Sequence, residues 1–189
     1  MSLKTQAIRY MQIFGNMLFP SQETWGRVSQ WPNGNDAYLQ YAYPSILIAC
    51  LSAFFGALLN SHEWNGLGIF GAVAYVGICE FLIVHTSVFA VRVLCQIFKI
   101  DADNSQIASF GVYAITPVYA VYMILPLLPD LFFLKFLYFV CIYTCYTDNS
   151  VIWIRRESPW GVFICGFLLS CMPFLIELLV KFLIPGIAP

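Results

Sequence analysis

Apolar residues recur in five long runs along this chain, and short polar stretches separate the runs. They cover residues 41–59, 67–98, 107–125, 131–146 and 160–184. A helix needs about 20 mainly apolar residues to cross a bilayer, so each run is predicted to be a transmembrane helix. The second run is longer than a crossing requires, and we expect it to tilt or to project beyond the membrane. The pattern predicts an all-α polytopic membrane protein, a bundle of five transmembrane helices.

The stretch before the first run has a different pattern. Apolar residues between Leu3 and Leu18 fall roughly along one helical face, whereas Lys4 and Arg9 fall largely elsewhere. This arrangement is typical of an amphipathic helix that lies in the plane of the membrane interface. We therefore divide the chain into an N-terminal cytoplasmic or interfacial segment, residues 1–40, and a five-span membrane domain, residues 41–189.

Composition strengthens the membrane interpretation. Of the 189 residues, 60% are hydrophobic, 17% are aromatic and 10% are charged. A soluble domain is nearer half apolar and a quarter charged, so lipid must solvate much of this surface. The net charge of -1 argues against nucleic acid as a partner, because phosphate binding needs clustered Lys and Arg. We expect membrane lipids as partners, and another membrane protein or a homo-oligomer through the helices.

Lys and Arg are distributed unevenly between the two sides of the predicted bundle. Five spans place the termini on opposite sides, and the cytoplasmic side carries the excess of these residues. The side of the N-terminus holds Lys4, Arg9, Arg27, Arg92, Lys99, Arg155 and Arg156, whereas the other side holds Lys135 and Lys181. We therefore expect a cytoplasmic N-terminus and an external C-terminus.

Glu80 lies near the middle of the second run. An ionised carboxylate there costs about 2.5 kcal/mol or more on insertion scales, so we expect Glu80 to face the bundle or a cavity, paired or protonated. Ser87 follows on nearly the same helical face, whereas His85 is rotated away by well over a right angle. Two roles are open: a small transporter or proton site using Glu80 with His85, or a polar contact that locks helix packing, which we favour.

The charged residues near the span ends have simpler interpretations. Arg92, Arg155 and Arg156 are expected to anchor the chain at the lipid interface. Lys135 is expected to extend its amine to the nearby interface in the same way. Glu177 and Lys181 are four residues apart, in the order that favours a helical ion pair, and we expect them to neutralise each other.

No motif in the sequence indicates catalysis. His62 lacks the second His, four residues on, that a zinc-protease helix requires. The seven cysteines lie in apolar or nearly apolar runs without metal-ligand spacing, as expected of small apolar residues. We expect no enzyme activity, no metal and no cofactor. A lipid-acting enzyme that holds headgroups through Arg155 and Arg156 is the least favoured alternative.

The third run contains glycine and proline at positions that affect packing. Gly111, Ala114 and Val118 form a narrow stripe that lets another helix approach closely. Pro117 removes one backbone hydrogen bond and kinks the helix, which frees the carbonyl of Tyr113. We expect Thr116 or a neighbouring helix to satisfy the freed carbonyl, since lipid cannot.

This third run also carries a family resemblance. Gly111, Tyr113 and Pro117, with the apolar hairpin that follows through Leu-Pro-Asp, resemble a motif of the Yip family of Ypt-interacting membrane proteins and its bacterial relatives. The resemblance implies five spans, a cytoplasmic N-terminus and, for a bacterial-type member in the cytoplasmic (inner) membrane, an unassigned function. Eukaryotic members bind small Rab-type GTPases mainly through longer N-terminal regions. The short N-terminal segment here makes GTPase binding doubtful, so the expected function is non-enzymatic: organising or binding membrane or protein partners.

Overall fold

The computed structural model describes residues 3–21, 23–25, 34–60, 66–147 and 159–184. Within these ranges the regular structure is helical, and five segments are long and apolar enough to cross a membrane. Named first to fifth in chain order, these spans are Tyr38–Asn60, Gly66–Ile97, Asn104–Ile124, Pro129–Thr147 and Trp160–Leu183. The predicted all-α, five-span architecture is confirmed.

The spans are built from helices of different kinds and lengths. In chain order the structure has α1 Leu3–Leu18, α2 Gly34–Ala37, a π-helical turn Tyr38–Ala42, α3 Tyr43–Asn60, α4 Gly66–Ile97, α5 Asn104–Ala114, α6 Thr116–Ile124, a 3-10 helix Pro129–Phe139, α7 Val140–Thr147 and α8 Pro159–Leu183. The second span is the single helix α4, whose 32 residues reach about 48 Å at about 1.5 Å per residue. That exceeds the hydrocarbon core of about 30 Å, as the length of the apolar run predicts.

The third span forms the centre of the bundle. Every residue from Ile107 to Tyr122 is buried, and the span packs against the first, second and fourth spans. Gly111 permits a close approach to the second span, because a Cβ there would lie 2.8 Å from Val88 Cγ2 and 2.9 Å from Val88 Cα. Close packing at this glycine agrees with the predicted stripe.

The third span is broken where the proline predicts a kink. Helix α5 ends at Ala114 and α6 begins at Thr116, so Ile115 separates them with φ -93° and ψ 15°. The Thr116 hydroxyl donates to the carbonyl oxygen of Tyr113 over 2.7 Å. The Tyr41 hydroxyl of the first span lies 2.8 Å from the same Thr116 oxygen. Of the two expected partners, Thr116 therefore satisfies the freed carbonyl, and the first span contacts the threonine hydroxyl.

The fourth span is short but changes its winding. A 3-10 helix rises about 2.0 Å per residue, against about 1.5 Å for an α-helix. With Pro129–Phe139 in the first form and Val140–Thr147 in the second, and with a kink at Leu131 (φ -86°, ψ 38°), the span reaches at most about 34 Å. This length accounts for how a short apolar run crosses a core of about 30 Å.

Helix α1 has the predicted bounds, but its apolar residues divide between two surfaces. Met17 is buried, and the partly buried Tyr10 and Phe14 pack against the bundle. Ile8 and Met11 remain exposed. Only part of the predicted apolar face therefore contacts protein. On that side the Tyr10 hydroxyl lies 2.9 Å from Ser45 Oγ of the first span. Burial is the main cause that raises the pKa of Tyr10 to about 12.

Candidate functional site

A cavity of about 340 Å³ lies among all five spans at one end of the bundle. The C-terminal ends of the first, third and fifth spans and the N-terminal ends of the second and fourth contribute to it. Alternating chain direction brings these ends to the same side of the membrane. The lining is mainly apolar, and its polar or small members include Gly56, Tyr75, Tyr122, Lys135, Glu177 and Lys181.

The Glu177 carboxylate joins three spans at the cavity wall. Its Oε1 accepts hydrogen bonds from the hydroxyls of Tyr122 at 2.9 Å and Tyr138 at 3.1 Å. Its Oε2 accepts from Lys135 Nζ at 2.5 Å. Tyr122 lies on the third span, Tyr138 and Lys135 on the fourth, and Glu177 on the fifth. The carboxylate is therefore neutralised and held by the neighbouring spans.

The predicted pairing of Glu177 with Lys181 is wrong. Glu177 forms its ion pair with Lys135. Lys181 instead places its Nζ 5.9 Å from the ring centroid of Tyr75. The expected extension of Lys135 to the interface is wrong for the same reason. A buried carboxylate at 8% exposure gains more from a lysine on a facing helix, with two hydroxyls beside it, than from an exposed lysine one turn away.

The first span closes one wall of the cavity through backbone contact. A Cβ at Gly56 would overlap the carbonyl oxygen of Pro126, so only glycine allows this approach without a shift. Asn60 Nδ2 donates to the same carbonyl over 3.3 Å. One turn before Gly56, Ser52 Oγ donates to the carbonyl oxygen of Met123. These contacts hold the first span against the end of the third and set the shape of the wall.

Glu80 lies in the packed interior at 1% exposure. It does not line the 340 Å³ cavity. Within the described ranges, neither carboxylate oxygen of Glu80 has a hydrogen-bond partner, and the buried hydroxyls of Ser87 and Tyr119 have none either. The expected inward orientation of Glu80 is confirmed, and Ser87 is buried on the same helix as expected. The favoured polar contact of Glu80 that would lock helix packing is therefore not formed among the described residues.

His85 lies away from Glu80 on the same helix. Its Nδ1 is 2.8 Å from the carbonyl oxygen of Phe81, and its ring centroid is 4.2 Å from that of Phe81 and 5.6 Å from that of Tyr38. No hydrogen bond joins the two described side chains of Glu80 and His85. The imidazole is a partly exposed side chain among aromatic rings at the outside of the bundle.

The other residues singled out from the sequence lie away from the cavity or outside the described residues. Arg92 is exposed toward the end of the second span, where an anchor is expected. Arg155 and Arg156 lie outside the described residues. Tyr113 is buried with its ring centroid 4.7 Å from that of Tyr41. Gly111, Tyr113 and Pro117 belong to the central packing and do not line the cavity.

The contact of Glu177 with Lys135 and the two tyrosines was not predicted from the sequence. One signal was available, since Lys135 and Glu177 are opposite charges in two apolar runs and the predicted topology puts both near the same membrane face.

Among the described residues, no group of three or more His, Cys, Asp or Glu side chains is placed to hold a metal ion. No protein-family model, curated protein or solved structure matches this chain.

Proposed function

We propose that this chain is a non-enzymatic integral membrane protein that binds a partner supplied by the membrane. The observation that carries the proposal is the cavity of about 340 Å³ to which all five spans contribute. Its volume falls within the range of about 300–1,000 Å³ that is usual for ligand pockets. A mainly apolar lining with a few polar groups is also typical of binding pockets.

The hydrogen bonding of the polar groups in the cavity wall favours ligand binding over catalysis. A general acid or base needs a proton-accepting atom that can reach the substrate. Both oxygens of Glu177 instead accept hydrogen bonds from Lys135, Tyr122 and Tyr138. The network ties the third, fourth and fifth spans together at the cavity wall, which suits a preformed binding site.

The likeness to the Yip family fits this proposal. Gly111, Tyr113 and Pro117, the residues that carry the likeness, lie in the central span, which packs against the first, second and fourth spans. We further propose that the chain is a bacterial-type member of this family in the cytoplasmic membrane, with its N-terminus inside the cell and its C-terminus outside. The excess of Lys and Arg on the N-terminal side supports this orientation. The cavity then opens toward the external face.

Site-specific photocrosslinking in native membranes tests partner binding. A photoreactive amino acid replaces Phe132, which lines the cavity and is 72% exposed. The matched control replaces Phe133, which is 52% exposed and does not line the cavity. We expect one discrete adduct from position 132 and only the distribution of bulk lipid from position 133. Identical bulk-lipid adducts from both positions would refute partner binding at the cavity.

The orientation is tested separately with single cysteines in a variant that lacks the seven native ones. A cysteine at Ser2 and one at Ala188 are treated in intact cells with a membrane-impermeant maleimide. We expect labelling at position 188 and protection at position 2. The reverse pattern contradicts the proposed orientation, and labelling of both contradicts five spans.

A proton- or ion-conducting protein is the second candidate, because the carboxyl group of Glu80 and the hydroxyl of Tyr119 lack hydrogen-bond partners among the described residues. Unpaired ionisable groups inside a membrane bundle are common in proton relays. Flux into liposomes is compared between the unaltered chain and Glu80→Gln. Flux that depends on Glu80 supports this candidate, whereas equal background flux from both chains removes it.

A further inference from the structure

The polar groups of the cavity carry an uneven charge. Lys135 and Lys181 contribute two positive charges to the lining, and Glu177 contributes one negative charge, which leaves a net charge of +1 among the described lining residues. Lys135 is already engaged with Glu177. Lys181 is exposed and contacts the face of the Tyr75 ring, with its amine 5.9 Å from the centroid.

The charge of Lys181, which forms no ion pair with another described residue, and the apolar surface lie in different parts of the cavity. Lys181 is close to the C-terminal end of α8, which ends at Leu183, so its amine is near the membrane surface. Below it the wall is formed by side chains such as Ala53, Ala72 and Val76. Phe132, at 72% exposure, borders the cavity on the outside of the bundle. A ligand that matches this arrangement has an anionic head and an apolar tail.

We propose that the cavity binds a single-chain anionic amphiphile, whose carboxylate or phosphate head contacts Lys181 and whose acyl chain lies against Ala72 and Val76. The inference rests on the proposed function and names the partner's chemical class. The volume of about 340 Å³ is at the small end of the usual range for ligand pockets, which suits one acyl chain better than a two-chain lipid. The paired Glu177 leaves the lysine charge available to the ligand.

Native mass spectrometry of the full chain in detergent micelles measures this binding. The probes are oleate, lysophosphatidate, lysophosphatidylcholine and inorganic phosphate. We expect one equivalent of oleate or lysophosphatidate to remain bound. The zwitterionic lysophosphatidylcholine should bind more weakly, because its choline group is repelled by Lys181. Inorganic phosphate should not bind, because it lacks the apolar tail.

Two variants separate the contributions of charge and volume. Lys181→Gln should weaken oleate binding about tenfold, since it removes a charge-assisted hydrogen bond, and Lys181→Arg should restore it. Lys99→Gln removes a charge from an exposed lysine beyond the other end of the second span and should have no effect. Ala72→Phe should abolish binding by filling the cavity. Ala74→Phe, on the same helix but away from the cavity lining, is the control for folding and should bind normally.

Each contrary result has a defined meaning. Equal oleate binding by the unaltered chain, Lys181→Gln and Ala72→Phe overturns the inference, because the amphiphile is then adhering elsewhere. Tight binding of inorganic phosphate also overturns it, in favour of a free-anion site. If no amphiphile binds while position 132 still crosslinks to a protein, including a second copy of this chain, the inference fails and the proposed function stands. If position 132 has no discrete partner, both fail.

Discussion

Replacing Glu177 should disconnect three spans at one point. The carboxylate accepts hydrogen bonds from Tyr122 on the third span and from Lys135 and Tyr138 on the fourth. Glu177→Leu introduces an apolar side chain of similar size and removes all three bonds. Glu177→Gln keeps one carbonyl oxygen for the tyrosines and removes only the ion pair. The two variants therefore separate the hydrogen bonds to the hydroxyls from the charge interaction.

The expected magnitude follows from the number of bonds and from their exposure. Measured interhelical hydrogen bonds in membranes are worth about 0.6 kcal/mol on average and at most about 1.7 kcal/mol. Three bonds make the cost of Glu177→Leu about 2–4 kcal/mol. Glu177→Gln should cost only about 1 kcal/mol, because the Lys135 side chain is 32% exposed. An unpaired Lys135 can also turn its amine toward the interface.

The assay is reversible unfolding in mixed micelles with increasing SDS, followed by circular dichroism. Asp101→Asn makes the equivalent change at an exposed loop residue, and its free energy of unfolding should stay within about 0.5 kcal/mol of the unaltered chain. A cycle that combines Glu177→Gln with Lys135→Met should show a coupling energy of about 0.5–1.5 kcal/mol. A coupling energy near zero, or a Glu177→Leu variant as stable as Asp101→Asn, would refute the assigned network.

Four further variants probe the central span and the N-terminal helix. Gly111→Ala should cost about 1–3 kcal/mol, because its Cβ would lie 2.8 Å from Val88 Cγ2. Gly15→Ala, with nothing within 4 Å of the new atom, should be neutral or stabilising in the same SDS titration. Thr116→Val should cost about 0.6–1.7 kcal/mol, since it removes both hydroxyl contacts at the helix break, and a stability unchanged from the unaltered chain would contradict that role. Burial raises the pKa of Tyr10 to about 12, so its docking stabilises the chain below about pH 10 and loses that contribution as the pH rises toward 12. Tyrosinate absorbance should show one late-titrating group fewer in Tyr10→Phe, and identical titrations would contradict the burial of this phenol.

The sequence alone was sufficient for the number, order and approximate bounds of the spans. Each span is recognised from a local excess of apolar residues, and that excess needs no knowledge of the neighbours. The break in the third span was also predictable, because the missing amide of Pro117 and the hydroxyl of Thr116 are local features. The Thr116 hydroxyl donates to the carbonyl oxygen of Tyr113 over 2.7 Å, as expected. The burial of Glu80 was predictable from the cost of placing a carboxylate against lipid.

Tertiary structure alone decided which polar groups meet and where space remains. Local spacing favoured Lys181 as the partner of Glu177, but Lys135, 42 positions away, is the partner in the folded chain. The cavity likewise depends on side chains from all five spans. Helix formation satisfies the backbone within one segment, whereas a side-chain carboxylate is satisfied by whichever donors the packed helices bring near. The insertion of each span is therefore determined locally, while the polar contacts and the cavity arise only from the assembled bundle.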